Sequence, residues 1–231
     1  MESFITNQVD ECLRTKAAKA ALNHIKQHIH ADTVIGIGTG ATAEVFVQLL
    51  AESQLPFAYC VSSSDRSSNA IQSAGLKELP LAQCEHVDFY VDGIDEGLSD
   101  GTTIKGGGAA LAREKVIATM ASCFITISDE GRLVEALGKF PLPIEVLPAA
   151  KMPAILALKA LGGEPVQRAN CVTDNGNIIL DVSGLDITHS SQLESALNSI
   201  PGVVENGIFS RRKANFMAFS NSLGVRWIAA K

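Results

Sequence analysis

ADTVIGIGTGATAEVFVQLLAES, residues 31–53, sets a turn, a short apolar run, three closely spaced glycines and a helix-period pattern in immediate succession. The apolar run predicts a buried strand and Ala41 onward a helix, with Gly36 to Gly40 as the turn between them. GIGTGA satisfies the loose dinucleotide pattern G-x-G-x-x-G/A, and glycines here leave backbone N–H groups and a helix N-terminus open to negative charge. Two features favour a small phosphate over a dinucleotide. Thr39 and Thr42 add hydroxyl donors, and the next strand runs into SSSD (62–65) instead of presenting a lone acid to a ribose diol.

The same strand, loop, helix rhythm continues on both sides. Residues 8–29 repeat apolar positions at helical spacing; PFAYCV (56–61), HVDFYV (86–91) and CFITIS (123–128) read as further strands, with helices after residue 64 and over about 109–121. Strands alternating with helices predict a parallel sheet covered on both faces, whose loops at the strand C-termini share one crevice. Near residue 139 the texture changes. KFPLPIEVLP (139–148) is proline-studded and reads as a hinge plus an edge strand. A helix over AAKMPAILALKAL, strands PVQRANCVT and NIILDVS around the turn signal Asp174-Asn175-Gly176, a helix over SSQLESALNSI and a strand over VVENGIF complete a βαββαβ order. ANFMAFSNSLGVRWIAA (214–230) reads as two short strands returning to the first sheet. The expected division is 1–138 with 210–231 as the main domain and 139–209 as the second.

Composition excludes several classes. The 231 residues are 46% apolar and 19% charged, with a net charge of −6 and no basic cluster, which argues against nucleic acid as a partner. No apolar run approaches the roughly 18 residues of a membrane span, and the first 30 residues do not read as a signal peptide, so a cytoplasmic protein is expected. Cys12, Cys60, Cys84, Cys123 and Cys171 are odd in number, widely spaced and free of CxxC pairs, and read as reduced core residues. His24 and His28 lack a third ligand and read as surface residues.

Chemistry concentrates in VDGIDEGLSDGTTIKGGGAALAREK, residues 91–115. Asp92, Asp95 and Glu96 follow the third strand, where the crevice is expected. Carboxylates this close repel one another, so at least one must meet a cation, bind hydroxyls or carry a raised pKa, and Lys105 is the nearest cation. A Mg²⁺ site is the alternative, although phosphatase-like DxD spacing is missing. Gly106, Gly107 and Gly108 expose backbone N–H groups at the start of the next helix, a second anion site. On a helix beginning near Gly108, Glu114 lies within about 40° of Ala110, Ile117 and Ala121, along an apolar stripe. Burial there raises a carboxylate pKa, as suits a group that takes up and releases a proton near neutrality. Arg113 and Lys115 flank Glu114 but are not on its face.

Taken together, GIGTGAT, SSSD, VDGIDE, KGGGAALAREK, GKFPLPIEV and VTDNGNIILDV resemble ribose-5-phosphate isomerase of the A type over nearly the whole chain. The resemblance implies an αβα Rossmann-like main domain with a smaller ferredoxin-like α+β domain, a homo-oligomer (dimer or tetramer), and cofactor-free, metal-free interconversion of ribose 5-phosphate and ribulose 5-phosphate. It implies Glu114 as base, with Asp92, Asp95 and Lys105 as its polar set. Lys105 and the glycine amides would stabilise an enediolate, and the two aspartates would hold sugar hydroxyls. Thr39, Gly40, Ala41, Thr42, Gly93, Ile94, Gly106, Gly107, Gly108 and Arg132 are the implied substrate-binding set. Two positions depart from the pattern: Ala41 replaces a serine of the phosphate loop, and Arg132 replaces a lysine. Arg66, in the serine loop, is expected to face solvent. A sugar-phosphate sensor and a nicotinamide-dependent oxidoreductase remain as the competing classes.

Overall fold

A strand buried on both faces must be apolar at consecutive positions, not alternate ones. Val34–Ile37 is such a strand in the computed structural model, which describes residues 2–230, with side chains from residue 10. Chain order runs α1 (Glu2–Ile25), β1 (Val34–Ile37), α2 (Ala41–Ser53), β2 (Tyr59–Ser62), α3 (Asp65–Ser73), β3 (Val87–Asp92), β4 (Glu96–Gly97), β5 (Thr103–Ile104), α4 (Leu111–Met120) and β6 (Ala121–Asp129). It continues with β7 (Leu142–Val146), α5 (Lys151–Ala160), β8 (Glu164–Gln167), β9 (Ile178–Ser183), α6 (Ser190–Asn198), β10 (Val203–Asn206), β11 (Ile208–Phe209), β12 (Phe216–Ser220) and β13 (Val225–Ala229).

The main sheet has the order β13-β12-β6-β3-β1-β2, parallel except for β13, which pairs antiparallel with β12. Alternate strand residues serve opposite faces. Ile35, Ile37, Val91, Ile125 and Ile127 pack with Ala17, Ala18 and Ala21 of α1 and Phe46, Val47 and Leu50 of α2. Val34, Tyr90, Phe124, Met217 and Phe219 pack with Ile117 and Ala118 of α4. These are the three expected layers. Counted from the second strand, the five parallel strands run 2-1-3-4-5 in chain order, so the sheet's direction of winding reverses between β1 and β3. In such sheets the ligand crevice lies beyond the C-terminal ends of those two strands.

Residues 142–206 build a second, antiparallel sheet in the order β10-β7-β9-β8, with α5 and α6 supplying its other layer through Ala154, Leu158 and Leu197. The proline-bearing strand β7 is therefore interior, not the edge strand expected from its prolines. Pro143 is tolerated because β10 has ended at its level: Gly207 lies against the ring and donates its N–H to the Pro143 carbonyl at 2.8 Å. A side chain at Gly207 would collide with the Lys105 carbonyl, 2.2 Å from an added Cβ.

At that glycine the expected single strand VVENGIF divides. β10 stays in the second sheet, while β11 joins β5 and β4 in a small three-stranded sheet that the sequence did not announce. The expected strand PVQRANCVT also stops early, at Gln167; Asn170 adopts φ 52°, which extended chain cannot continue through. A buried ion cluster ties the two sheets' helices together. Lys115 of α4 sits 3.1 Å from Glu194 of α6 and 2.9 Å from Glu205 of β10, donates to the Asn206 carbonyl, and lies over the Phe209 ring.

Several local expectations change. α4 begins at Leu111 instead of Gly108, because Gly106 (φ 117°) and Ala109 (φ 60°) hold the preceding segment in non-helical turns, and it exposes Val116. Of the cysteines only Cys60 is in the core; Cys12 is exposed and the other three are half-buried. His24 is half-buried and packs against both Phe216 and Trp227, 4.5 Å between ring centroids in each case. Among the described residues no helix is long and apolar enough to cross a membrane.

Candidate active site

Beyond the C-terminal ends of β1 and β3 the chain encloses a cavity of about 390 Å³. After β1, Gly38 donates to the Val91 carbonyl and Thr39 N–H donates to Asp92 Oδ1 at 3.1 Å. An added Cβ at Gly38 would lie 1.9 Å from that same oxygen. The second glycine of GIGTGA therefore makes room for the chain's own aspartate, not for a pyrophosphate. Thr39 Oγ1 lies 2.8 Å from both Ser63 Oγ and Ser64 Oγ, and Ser64 also caps α3 by accepting from Ser67 N–H. The serine loop thus meets the glycine loop as expected, but these hydroxyls bind protein, and only Arg66 of that loop lines the cavity.

Asp92 and Lys105 form the buried floor. Asp92 is fully buried and surrounded by donors: Thr39 N–H, Gly93 N–H at 2.6 Å, the Tyr90 hydroxyl and the Lys105 ammonium at 2.6 Å. Its two oxygens are thus engaged by donors of the chain itself, and Asp92 stands one layer behind Asp95. Glu96 is spent on structure too, accepting from Gly138 and Phe140 N–H and so fixing the turn before β7.

Lys105 Nζ meets Asp92, the Gly93 carbonyl and Glu114 Oε2, the last at 3.2 Å. Burial alone would lower its pKa, but the charges of Asp92 and Glu114 outweigh burial and hold it up at about 12.

Glu114 is 2% exposed, on the cavity wall. Burial is the largest influence on its carboxyl, the Asp92 charge adds to it, and Lys105 only partly offsets both, leaving the pKa pushed up to about 8. Its Oε2 is within ion-pair range of Lys105 yet has no hydrogen bond of proper geometry among the described residues. Neither neighbour serves it. Arg113 reaches Asp65, Asn175 and the Asp174 carbonyl, and Lys115 belongs to the ion cluster described above.

Asp95 accepts from Gly107 N–H at 2.7 Å, its carboxyl raised by burial, and Arg132 donates to its carbonyl at 3.1 Å. Thr39, Gly40, Ala41, Thr42, Gly93, Ile94, Asp95, Lys105, the three glycines, Glu114 and Arg132 all line the cavity; Asp92 lies just behind its wall. Arg66 is exposed, as expected, yet it also lines the cavity rim, held by Glu44 at 2.5 and 3.0 Å. Sequence reasoning missed Asp10 and Arg14 of α1 and Ser128 and Asp129 at the end of β6, which also line the cavity. Asp10 and Arg14 are four apart on the helix's polar face, but nothing in that spacing says which end of the sheet the face covers. The described residues contain no group of three or more His, Cys, Asp or Glu side chains placed to hold a metal ion.

The family model for ribose 5-phosphate isomerase A (phosphoriboisomerase A) matches residues 59–223. A ribose-5-phosphate isomerase A of Bordetella avium (strain 197N) is 46% identical over 214 residues, covering 93% of this chain and 96% of the relative. The crystal structure of ribose 5-phosphate isomerase A from Neisseria gonorrhoeae superposes with a TM-score of 0.90 at 34% identity, covering 96% of this chain and 98% of that one. A D-ribose-5-phosphate isomerase in complex with phospho-erythronic acid gives a TM-score of 0.88 at 35% identity, with 95% and 98% covered. With sequence likeness across nearly its whole length and the same fold at that likeness, the chain belongs to the ribose 5-phosphate isomerase A family.

Proposed function

We infer that this cavity interconverts ribose 5-phosphate and ribulose 5-phosphate, with Glu114 carrying the proton between C1 and C2. The reaction moves a carbonyl by one carbon, so one proton must leave C2 and arrive at C1 while a hydroxyl proton passes from O2 to O1. A single carboxylate between the two carbons serves both carbon steps, and a pKa near the working pH lets it release the proton as readily as it takes it up. The observation that carries this reading is the Glu114 carboxylate itself, buried on the cavity wall beside the Lys105 ammonium, with its Oε2 lacking a hydrogen-bond partner among the described residues.

The intermediate enediolate concentrates negative charge on oxygen. Lys105 supplies a fixed positive charge in a site of low dielectric, where preorganised donors act most strongly, and the Gly107 and Gly108 amides border the same space. Asp95, with its raised pKa, is placed to hold a sugar hydroxyl and to exchange a proton as the ring opens. Asp92 acts behind them by holding Lys105. The N-terminus of α2 with Thr39, Gly40, Ala41 and Thr42 takes the phosphate, and Arg14, Arg66 and Arg132 supply the positive charge that a dianion needs. A four-carbon sugar acid such as phospho-erythronic acid would put its carboxylate where the enediolate oxygens develop.

Residues 139–209 are proposed as a unit that also mediates a homo-oligomer, dimer or tetramer. Leu147, Met152, Leu156, Leu161, Val166, Val172 and Val204 are all exposed there, with Met152 and Leu156 one turn apart on α5, and a contact between copies would cover such residues. We place the reaction in the cytoplasm, because free thiols persist there and a charged sugar phosphate does not cross a bilayer unaided; cell fractionation recovering it elsewhere would reject this.

The test is conversion of ribose 5-phosphate by EDTA-treated protein beside its Glu114→Gln variant. We expect the parent to turn over and the variant to lose at least about 10³-fold in kcat while still binding the sugar phosphate. A variant with unchanged rate removes Glu114 as the base.

A further inference from the structure

Arg168 follows the last residue of β8, in the second sheet's unit, and its guanidinium is divided between two tasks. Nε and Nη2 hold the two oxygens of Asp181 in β9, at 2.9 and 2.5 Å. Nη1, left over from that pair, donates to the carbonyls of Gly106 at 3.0 Å and Gly107 at 3.1 Å. Among the described residues no peptide is cis, and in a trans peptide plane the C=O and the following N–H point in opposite directions. Drawing both carbonyls toward Arg168 therefore turns the N–H groups of Gly107 and Gly108 away from it. Gly107 N–H meets Asp95, and Gly108 N–H has no acceptor among the described residues; both glycines border the cavity.

We propose that Arg168, held by Asp181, is a positioning residue for the isomerisation: it fixes the peptide planes of the Gly106–Gly108 loop so that Gly107 N–H holds Asp95 and the free Gly108 N–H faces the developing enediolate. This rests on the reading of the cavity given above. Glycine is the residue least able to hold such a conformation unaided, so an external clamp on the carbonyls is what preorganises the donors. The second unit thereby reaches the chemistry through one side chain without touching substrate.

The experiment compares Arg168→Gln, Arg168→Lys and Arg168→Ala with Glu114→Gln as control. Arg168→Gln should lower kcat about 10- to 100-fold while KM moves less than about 3-fold, because the aligned amides matter in the transition state. Affinity for phospho-erythronic acid should fall by a similar factor, with affinity for inorganic phosphate unchanged. Arg168→Lys should recover only part of the rate, since one ammonium cannot hold Asp181 by two bonds and still reach both carbonyls. Millimolar guanidinium should partly rescue Arg168→Ala. Folded Arg168→Gln protein with parental kcat, whatever its melting temperature, would overturn the proposal and leave a structural ion pair. If Glu114→Gln also kept its rate, the reading of the cavity would fall with it.

Discussion

Replacing Asp92 by Asn should move the acid limb of the pH–rate profile downward. Asp92 and Glu114 lie on either side of the Lys105 ammonium, 2.6 and 3.2 Å from it. Their facing oxygens are thus no more than about 6 Å apart, and at an effective dielectric near 20 the repulsion is about 2.8 kcal/mol, or about 2 pK units. Asn keeps the shape and removes the charge. It also leaves Lys105 with one carboxylate instead of two, which favours ionised Glu114 further. The sign follows: a base works deprotonated, so kcat/KM rises with pH through its pKa, and a lower pKa carries activity to more acid solution. With a pKa of about 8 the parent retains about a tenth of its plateau rate at pH ~7, whereas a shift of about 2 units leaves the variant near nine-tenths of its own plateau. The assay is initial-rate ketose formation across pH about 5.5 to 9.5, each variant normalised to its own plateau. The substrate's phosphate titrates identically in both proteins and cancels in the difference. An acid limb that stays put, or climbs, would show that the proton-abstracting group does not feel Asp92.

Ala41→Ser restores a hydroxyl at the first residue of α2, on the cavity wall beside Thr42. One added hydrogen bond to the phosphate, worth about 0.5–1.5 kcal/mol, should lower KM about 2- to 10-fold with kcat little changed; an unchanged KM would place the phosphate elsewhere. Met152→Asp with Leu156→Asp puts two charges on the exposed face of α5 and should convert the proposed oligomer to monomers, read by sedimentation velocity. A parental sedimentation coefficient for the double variant would clear α5 of any part in assembly.

The fold was largely legible because its strands carry their burial in their composition. VIGI, FYV and FITI are buried at nearly every position and almost wholly apolar since helices cover both faces, and the glycines after β1 mark the turn. What escaped notice depended on distant partners. Pro143 argued for an edge strand, and only Gly207, which takes the place of a ladder partner, lets it sit inside a sheet. The sequence around Glu114 showed that it would be buried, as its apolar stripe required, but not that Asp92 would be buried more completely. The latter follows from four donors on β3, the glycine loop and Lys105, which no local pattern brings together. Arg14 and Arg168 were invisible for the same reason: a helix face and a strand end say what is polar, not what lies opposite.

The C-terminal return of the chain carries a cost during synthesis. Phe124 N–H bonds the side chain of Asn215, 91 positions onward, and β12 then covers the flank of β6 that carries Ile125 and Ile127. A ribosome adding about 5–20 residues per second needs roughly 5–20 s to supply that cover. For that interval the nascent chain displays an unpaired, greasy border ready to join a neighbour's. Any change that slows maturation of the inserted segment prolongs this exposure, so substitutions remote from the reaction centre can reduce the yield of native enzyme without altering the turnover of the molecules that succeed.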